Sequence, residues 1–247
     1  MNHAIHILGS GDGKPQAGRK PTAILVTGGN GALLIDAGDG VARTLAEPEF
    51  AGLEIRTILL THNHADHVAG LPFLFQAFKA QKRKTPLQIL APGGLGAALV
   101  SWLGALRMAP EKLPFQLTVS RLGAGIIATD AGHHLDIWKT DHLGDADGTD
   151  DECFGVTIEV GESSWIFSSD LASLEPLRGR LKGIEGLIVE TAHVEPVEAV
   201  KLAKASGVKQ VILTHVPSER STEPVEGALW AEDGMQIQIS GSSQGDK

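Results

Sequence analysis

Between positions 62 and 67 the chain sets three histidines and one carboxylate: His62, His64, Asp66 and His67, within Thr61-His62-Asn63-His64-Ala65-Asp66-His67. Protonated imidazoles this close repel one another, and neutral ones make no core. A divalent metal ion resolves both problems, because it binds neutral imidazole nitrogen and carboxylate oxygen directly. The chain holds ten histidines and no tyrosine, which makes the other histidines worth following.

The elements that must position this cluster are readable from patterning. An aliphatic run over 55–60 is a buried strand that delivers the cluster at its end, where ligands commonly gather in α/β proteins. After it, Leu71, Leu74, Phe75 and Phe78 follow the i, i+3, i+4, i+7 rule, so a core-facing helix begins at Pro72. Lys79, Lys82, Arg83 and Lys84 close that helix. They read as a solvated turn that complements the helix dipole, with a small phosphate-attracting patch as the functional alternative.

Short β-branched or aliphatic runs predict strands at 5–8, 23–27, 32–36, 87–91, 115–119, 135–140, 156–160, 164–169, 186–190, 208–214 and 235–240. Gly28-Gly29-Asn30-Gly31 predicts a hairpin turn, because glycine and asparagine accept positive φ. Helices are expected near 40–46 and 94–107, and from Pro196 to Gly207. Strand after strand then runs out into a metal-capable residue: Asp36, His62, His142, Asp170, His193 and His215. Gly9-Ser10-Gly11-Asp12-Gly13-Lys14 misses the P-loop spacing and is read as an open loop. The acidic run 144–152 lacks the glycine placement of an EF-hand and is read as solvated.

Composition narrows the function. Net charge is −9, which argues against a chain whose main work is gripping long nucleic acids. No apolar run is long enough to span a bilayer, and the N-terminus lacks the basic and apolar regions of a signal peptide. One cysteine, Cys153, forms no internal disulfide, in keeping with a cytoplasmic location. No linker or repeat breaks the chain, so residues 1–247 are expected to form one domain.

The ordered set resembles the metallo-β-lactamase superfamily, whose fold is a four-layer αββα sandwich of the α/β (α+β) class. The signature His-x-His-x-Asp-His matches at 62, 64, 66 and 67. The later ligands match His142 in Lys-Thr-Asp-His, Asp170 in Phe-Ser-Ser-Asp and His215 in Leu-Thr-His. The resemblance implies two divalent metal ions, zinc first, with Mn2+ or Fe2+ as alternatives. One would take His62, His64 and His142, the other Asp66, His67 and His215, with Asp170 bridging.

Within the superfamily the chain resembles the tRNase Z branch and its compact phosphodiesterase relatives. Ile7-Leu8-Gly9-Ser10-Gly11-Asp12-Gly13, Asp36-Ala37-Gly38-Asp39-Gly40 and Glu190-Thr191-Ala192-His193 carry that likeness. A typical bacterial tRNase Z inserts a long arm between the equivalents of His142 and Asp170. Here 27 residues separate them, and the loop is acidic, so it would repel an RNA backbone. The resemblance therefore implies a compact hydrolase of small phosphodiesters, cyclic ones among them. The extra cysteine-bearing zinc site of the phosphonate-pathway phosphodiesterase has no match, because this chain has one cysteine. Cleavage of precursor tRNA is the alternative, and a lactonase or arylsulfatase on the same fold is another. The partner is a small-molecule ester, with no membrane, and a homodimer is the assembly usual in that branch.

In such a mechanism Asp66 is expected to orient the attacking water or accept its proton, and His193 to donate a proton to the leaving oxygen, with a structural or ligand-supporting histidine as the alternative. Asp36 and Thr61 are expected to orient ligand imidazoles. His133 and His134, at a turn before a strand, are expected to be solvated. Cys153 has no matching base for a nucleophilic role.

Overall fold

The computed structural model describes residues 3–143 and 152–239. The expected strands, together with two more, assemble into two seven-stranded sheets. The first contains β1 (His3–Gly9), β2 (Ala23–Thr27), β3 (Ala32–Ile35), β4 (Ile55–Leu59), β5 (Leu87–Ala91) and β6 (Leu117–Arg121). The second contains β7 (Gly125–Ala128), β8 (His134–Lys139), β9 (Phe154–Val160), β10 (Ser163–Phe167), β11 (Gly186–Glu190), β12 (Gln210–Thr214) and β13 (Leu229–Trp230). The last strand, β14 (Gln236–Ile239), returns to the first sheet beside β1. The helices are α1 (Val41–Thr44), α2 (Ala65–Val68), α3 (Leu71–Ala80), α4 (Leu95–Ala105) and α5 (Pro196–Ala205).

Three apolar clusters define the layers. Ile5, Ile24, Leu33 and Ile35 of the first sheet pack against Phe154, Val156, Trp165 and Ile188 of the second. The outer face of the first sheet buries Leu34 and Ile58 against Leu74, Phe75 and Phe78 of α3 and Leu99 of α4. On the far side, Leu187, Val211 and Leu213 pack against Ala199, Val200 and Ala203 of α5. The order is helix, sheet, sheet, helix, as the resemblance implied. Strands covered on both faces read as continuous apolar runs, and β3 (ALLI) and β11 (GLIVE) do so.

Several expectations needed adjusting. The run expected at 115–119 forms its strand two residues later, and β7 and β13 were not anticipated. Ile126 of β7 is exposed and the segment is bracketed by glycines, so it carries no burial pattern. The helix expected over 40–46 is a single turn, α1. His133 is buried, 3% exposed, not solvated; the turn it occupies docks on the β2–β3 turn, where Asn30 N–H donates to the Ala131 carbonyl at 2.9 Å. His134 is exposed, as expected. Of the basic group closing α3, Arg83 stacks over Phe78 (4.8 Å) and Phe115 (5.5 Å) and caps backbone carbonyls, so it is structural. Most of the acidic run, 144–151, and the tail beyond 239 lie outside the described residues.

The β2–β3 turn is a hairpin turn, with Gly28 and Gly29 at φ 115° and 71°. Strands β3, β4 and β5 are parallel, as are β10, β11 and β12. Their C-terminal ends therefore empty toward one rim of the sandwich.

Candidate metal centre

All seven residues expected to bind metal converge at that rim. Among the described residues, ring nitrogens and carboxylate oxygens form the mutually close sets His62–His64–His142–Asp170 and Asp66–His67–His215, and a third, Asp170–His193–His215, overlaps both. Asp170, 2% exposed, stands between the first two. Its Oδ2 lies 3.8 Å from His62 Nε2, 3.6 Å from His142 Nε2 and 3.5 Å from His215 Nε2, and its Oδ1 lies 3.5 Å from His67 Nε2. Asp66 Oδ2 is 3.3 Å from His67 Nε2 and 3.8 Å from His215 Nε2. His64 turns Nδ1 toward His142 Nε2 at 3.4 Å.

These spacings suit a cation. Nitrogens each about 2.0–2.1 Å from one tetrahedral zinc stand roughly 3.3–3.4 Å apart. The Nε2 atoms of His62 and His67 are buried with no hydrogen-bond partner among the described residues, which is costly unless something else satisfies them. Each imidazole is instead held from its other nitrogen. Thr61 Oγ1 is 3.0 Å from His62 Nδ1, Asp36 Oδ2 is 2.7 Å from His67 Nδ1, and Thr22 Oγ1 is 2.8 Å from His215 Nδ1. Such contacts fix the ring and leave Nε2 free to bind.

The local backbone explains the aim of these groups. Asp36 leaves β3 in the left-handed region (φ 58°), and so do Ser169 after β10 and His215 after β12 (φ 54° each). This turns each chain sharply off its strand end into the rim. The loop after Asp36 lies directly on α2: a Cβ at Gly70 would come 2.2 Å from the Gly38 carbonyl oxygen, and Ala37 N–H donates to the His67 carbonyl at 2.7 Å. That close approach, which only glycine permits, brings Asp36 within reach of His67.

Electrostatics follow the same plan. Burial and the neighbouring imidazoles of His67, His64, His142 and His215 hold His62 well below its ordinary value, in the neutral form a metal binds. Burial opposes charge at His67, but the carboxylates of Asp36 and Asp170 outweigh it and favour positive charge there, a field that equally favours a cation. Burial also opposes ionisation of Asp170, yet His215, His67, His142 and His193 outweigh it and keep the carboxyl low. Burial likewise opposes ionisation of Asp66, and His67 and His215 overcome it.

His193 also reaches the rim but stands further off, its Nδ1 4.0 Å from Asp170 Oδ2 and 3.3 Å from Glu190 Oε1. The hydrogen bond to Glu190 raises its pKa against the opposing effect of burial. Glu190, 1% exposed, also accepts the backbone N–H groups of Ala192 (2.7 Å) and His193 (2.9 Å). Cys153 is buried with its thiol pushed up to about 12, so it is no nucleophile.

Two contributing residues escaped the sequence reading. Glu190 had a signal, a carboxylate ending an otherwise apolar buried strand. Thr22 had none, since its partner His215 is 193 residues away. The glycine loop 9–14 is not open: Ser10 N–H donates to Asp233 Oδ1 at 2.9 Å, and Gln16 Nε2 bridges Asp12 and the Val216 carbonyl. It packs on the cluster beside Asp66 and His215.

Comparison with known proteins agrees with this architecture. The family described as "Beta-lactamase superfamily domain" matches residues 32–216. A Ribonuclease Z of Lachnospira eligens is 29% identical over 63% of this chain, and the match spans about half (48%) of that protein. A Ribonuclease Z of Bradyrhizobium diazoefficiens is 27% identical over 91% of this chain and 71% of its own. Human tRNase Z, short form, superposes with TM-score 0.75 at 21% identity over 96% of this chain and 99% of that one. A diphosphatase from the PhnP family gives 0.72 at 17% identity over 96% and 98%. With its αββα layers, its rim of histidines and carboxylates and a family match running from β3 to just past His215, the chain belongs to the beta-lactamase superfamily.

Proposed function

We propose that the protein is a dinuclear metal-dependent hydrolase that cleaves small phosphodiesters. The observation that carries this reading is the approach of Asp170 to both ligand sets, 3.6 Å from His142 Nε2 and 3.5 Å from His67 Nε2 and His215 Nε2, with the buried Nε2 atoms of His62 and His67 lacking a hydrogen-bond partner among the described residues. His62, His64 and His142 would hold one ion, Asp66, His67 and His215 the other, and Asp170 both. The chemistry of the donors, five imidazoles and two carboxylates, suits zinc, with Mn2+ or Fe2+ as alternatives. When bound, such a pair lowers the pKa of a shared water and neutralises charge on phosphoryl oxygens.

The chain's own residues do the rest. Asp36, Thr61 and Thr22 fix the ring planes of His67, His62 and His215, so the set is preorganised before substrate arrives. Asp66 would orient the attacking water or take its proton as well as bind metal. His193 is half-exposed at the mouth, with Glu190 holding Nδ1. That leaves Nε2 to donate a proton to the departing alkoxide. The hydrogen bond to Glu190 raises the pKa of His193 and so favours its protonated form.

Protein purified without added metal should carry close to two ions per chain and hydrolyse bis(p-nitrophenyl) phosphate. Less than one metal per chain ends the dinuclear reading. The second reading, 3′ processing of precursor tRNA, is favoured by the Ribonuclease Z relatives. Opposing it are the acidic run at 144–152 and the short spacing between His142 and Asp170. A panel of phosphodiesters, precursor tRNA, lactones and aryl sulfates decides among these bonds. Size-exclusion chromatography with light scattering tests the homodimer usual among such relatives.

A further inference from the structure

His142 and Asp170 follow β8 and β10, which are not neighbours: β9 lies between them. Strands two apart in a sheet are separated by roughly 9–10 Å. Yet His142 Nε2 and Asp170 Oδ2 come within 3.6 Å. Their side chains reach across that gap, so the geometry of the pair depends on how the two loops are fixed to each other beyond the end of β9.

Asp141, next to His142, makes that connection. Its Oδ1 accepts the N–H groups of Ala172 (2.8 Å) and Ser173 (3.3 Å), and its Oδ2 accepts the Ser173 hydroxyl at 2.5 Å. These three donors begin two residues after Asp170. From the other side Glu190 Oε1 accepts Leu171 N–H at 3.3 Å. The segment 171–173 is thus gripped between a carboxylate joined to His142 and a carboxylate that holds His193. The other set, Asp66, His67 and His215, is oriented by Asp36 and Thr22, and Asp141 makes no hydrogen bond to those elements among the described residues.

We infer that Asp141 is a positioning residue: it ties the His142 loop to the Asp170 loop and so sets the geometry of the His62–His64–His142–Asp170 set. The inference rests on the dinuclear reading. Two ligands of one set depend on this clamp, and metal–ligand distances tolerate errors of only about 0.2 Å. His142 serves that set alone while Asp170 lies within 3.5 Å of His67 and His215 as well, so loss of Asp141 weakens the ion held by His142 more than the other. Removing groups that orient metal ligands typically costs about 10–100-fold in affinity.

The test is zinc titration against a competing chelator for wild type, D141A, D141N and S173A, with the visible spectrum of the Co2+-loaded proteins as a second readout. Wild type should show two sites. D141A should weaken the site that contains His142 by about 10–100-fold and the other, through the shared Asp170, by clearly less, with a changed Co2+ spectrum at the weaker site. D141N keeps one acceptor oxygen and S173A removes one of three bonds, so both should fall between. Two sites unchanged in D141A, or both weakened equally, overturn the clamp while the dinuclear reading stands. Fewer than two sites in wild type sinks both. Should D141A fail to fold, D141N and S173A carry the same comparison, and two unchanged sites in both overturn the inference.

Discussion

Replacing Asp36 by asparagine is the sharpest probe of how the centre is held. Asp36 is fully buried and its two oxygens receive the Thr61 N–H (2.8 Å), the Thr61 hydroxyl (2.8 Å to Oδ2) and His67 Nδ1 (2.7 Å). Asparagine keeps the side-chain shape and tolerates the left-handed backbone at φ 58°, so strain does not enter. What changes is acceptor count. One oxygen remains, and the new amide NH2 must face either the Thr61 N–H or the His67 N–H, donor against donor. A buried donor left unsatisfied costs about 1–3 kcal/mol, and the lost charge-assisted bond adds a further ~1 kcal/mol. The sum, roughly 2–4 kcal/mol, corresponds to a fall in Tm of about 4–16 °C for a domain of this size. Scanning calorimetry of the metal-free proteins measures the stability loss, and zinc competition measures the expected ~10–100-fold weakening at His67. A D36N protein that melts within 2 °C of wild type, estimated as under ~1 kcal/mol, and keeps both zinc affinities would refute the account of Asp36 as a stretched acceptor.

Other perturbations separate the remaining roles. Thr22→Val keeps the shape but removes the oxygen beside His215 Nδ1, and it should lower affinity for the ion on that side by about tenfold with little change in Tm, read by zinc competition. His193→Ala should slow poor leaving groups by about 10²–10⁴-fold and p-nitrophenolate far less; equal losses across a leaving-group series would remove it as the proton donor. Gly155→Ala places a Cβ 2.2 Å from the Trp138 ring in the core, and overpacking should cost about 1–3 kcal/mol by chemical denaturation. The Cys153 thiol, buried and pushed up to about 12, should resist Ellman's reagent at pH 8 until the protein unfolds. Because its folded pKa lies above the model-peptide value of 9.0, stability is full below pH 9 and falls as pH rises toward 12. Cys153→Ala should flatten that slope in urea midpoints measured from pH 8 to 11.

Most of the fold was legible because its strands are buried on both faces, so β2, β3, β4, β11 and β12 stand out as apolar runs between glycines and prolines. The convergence of the seven metal-capable residues was legible for a related reason. Each follows a strand end, and parallel strands empty at one rim. Edge strands were harder to read: β7 exposes Ile126, and β13 is two residues long. His133 was misjudged because its burial comes from docking against a turn on the other sheet, a contact invisible to local pattern. The same holds for Thr22, Asp141 and the pinned glycine loop, whose partners are distant in sequence.

The split origin of the centre has a consequence for how the chain folds. His62, His64, Asp66 and His67 leave the first sheet, while His142, Asp170 and His215 leave the second. Neither half on its own presents a complete coordination sphere, and β14 must cross back to β1 before the first sheet is finished. Tight metal retention thus reports the docking of the sheets rather than the formation of either one. An ion held at the rim would bridge the seam between the two sheets, and binding only the docked state it would stabilise that state over the separated one.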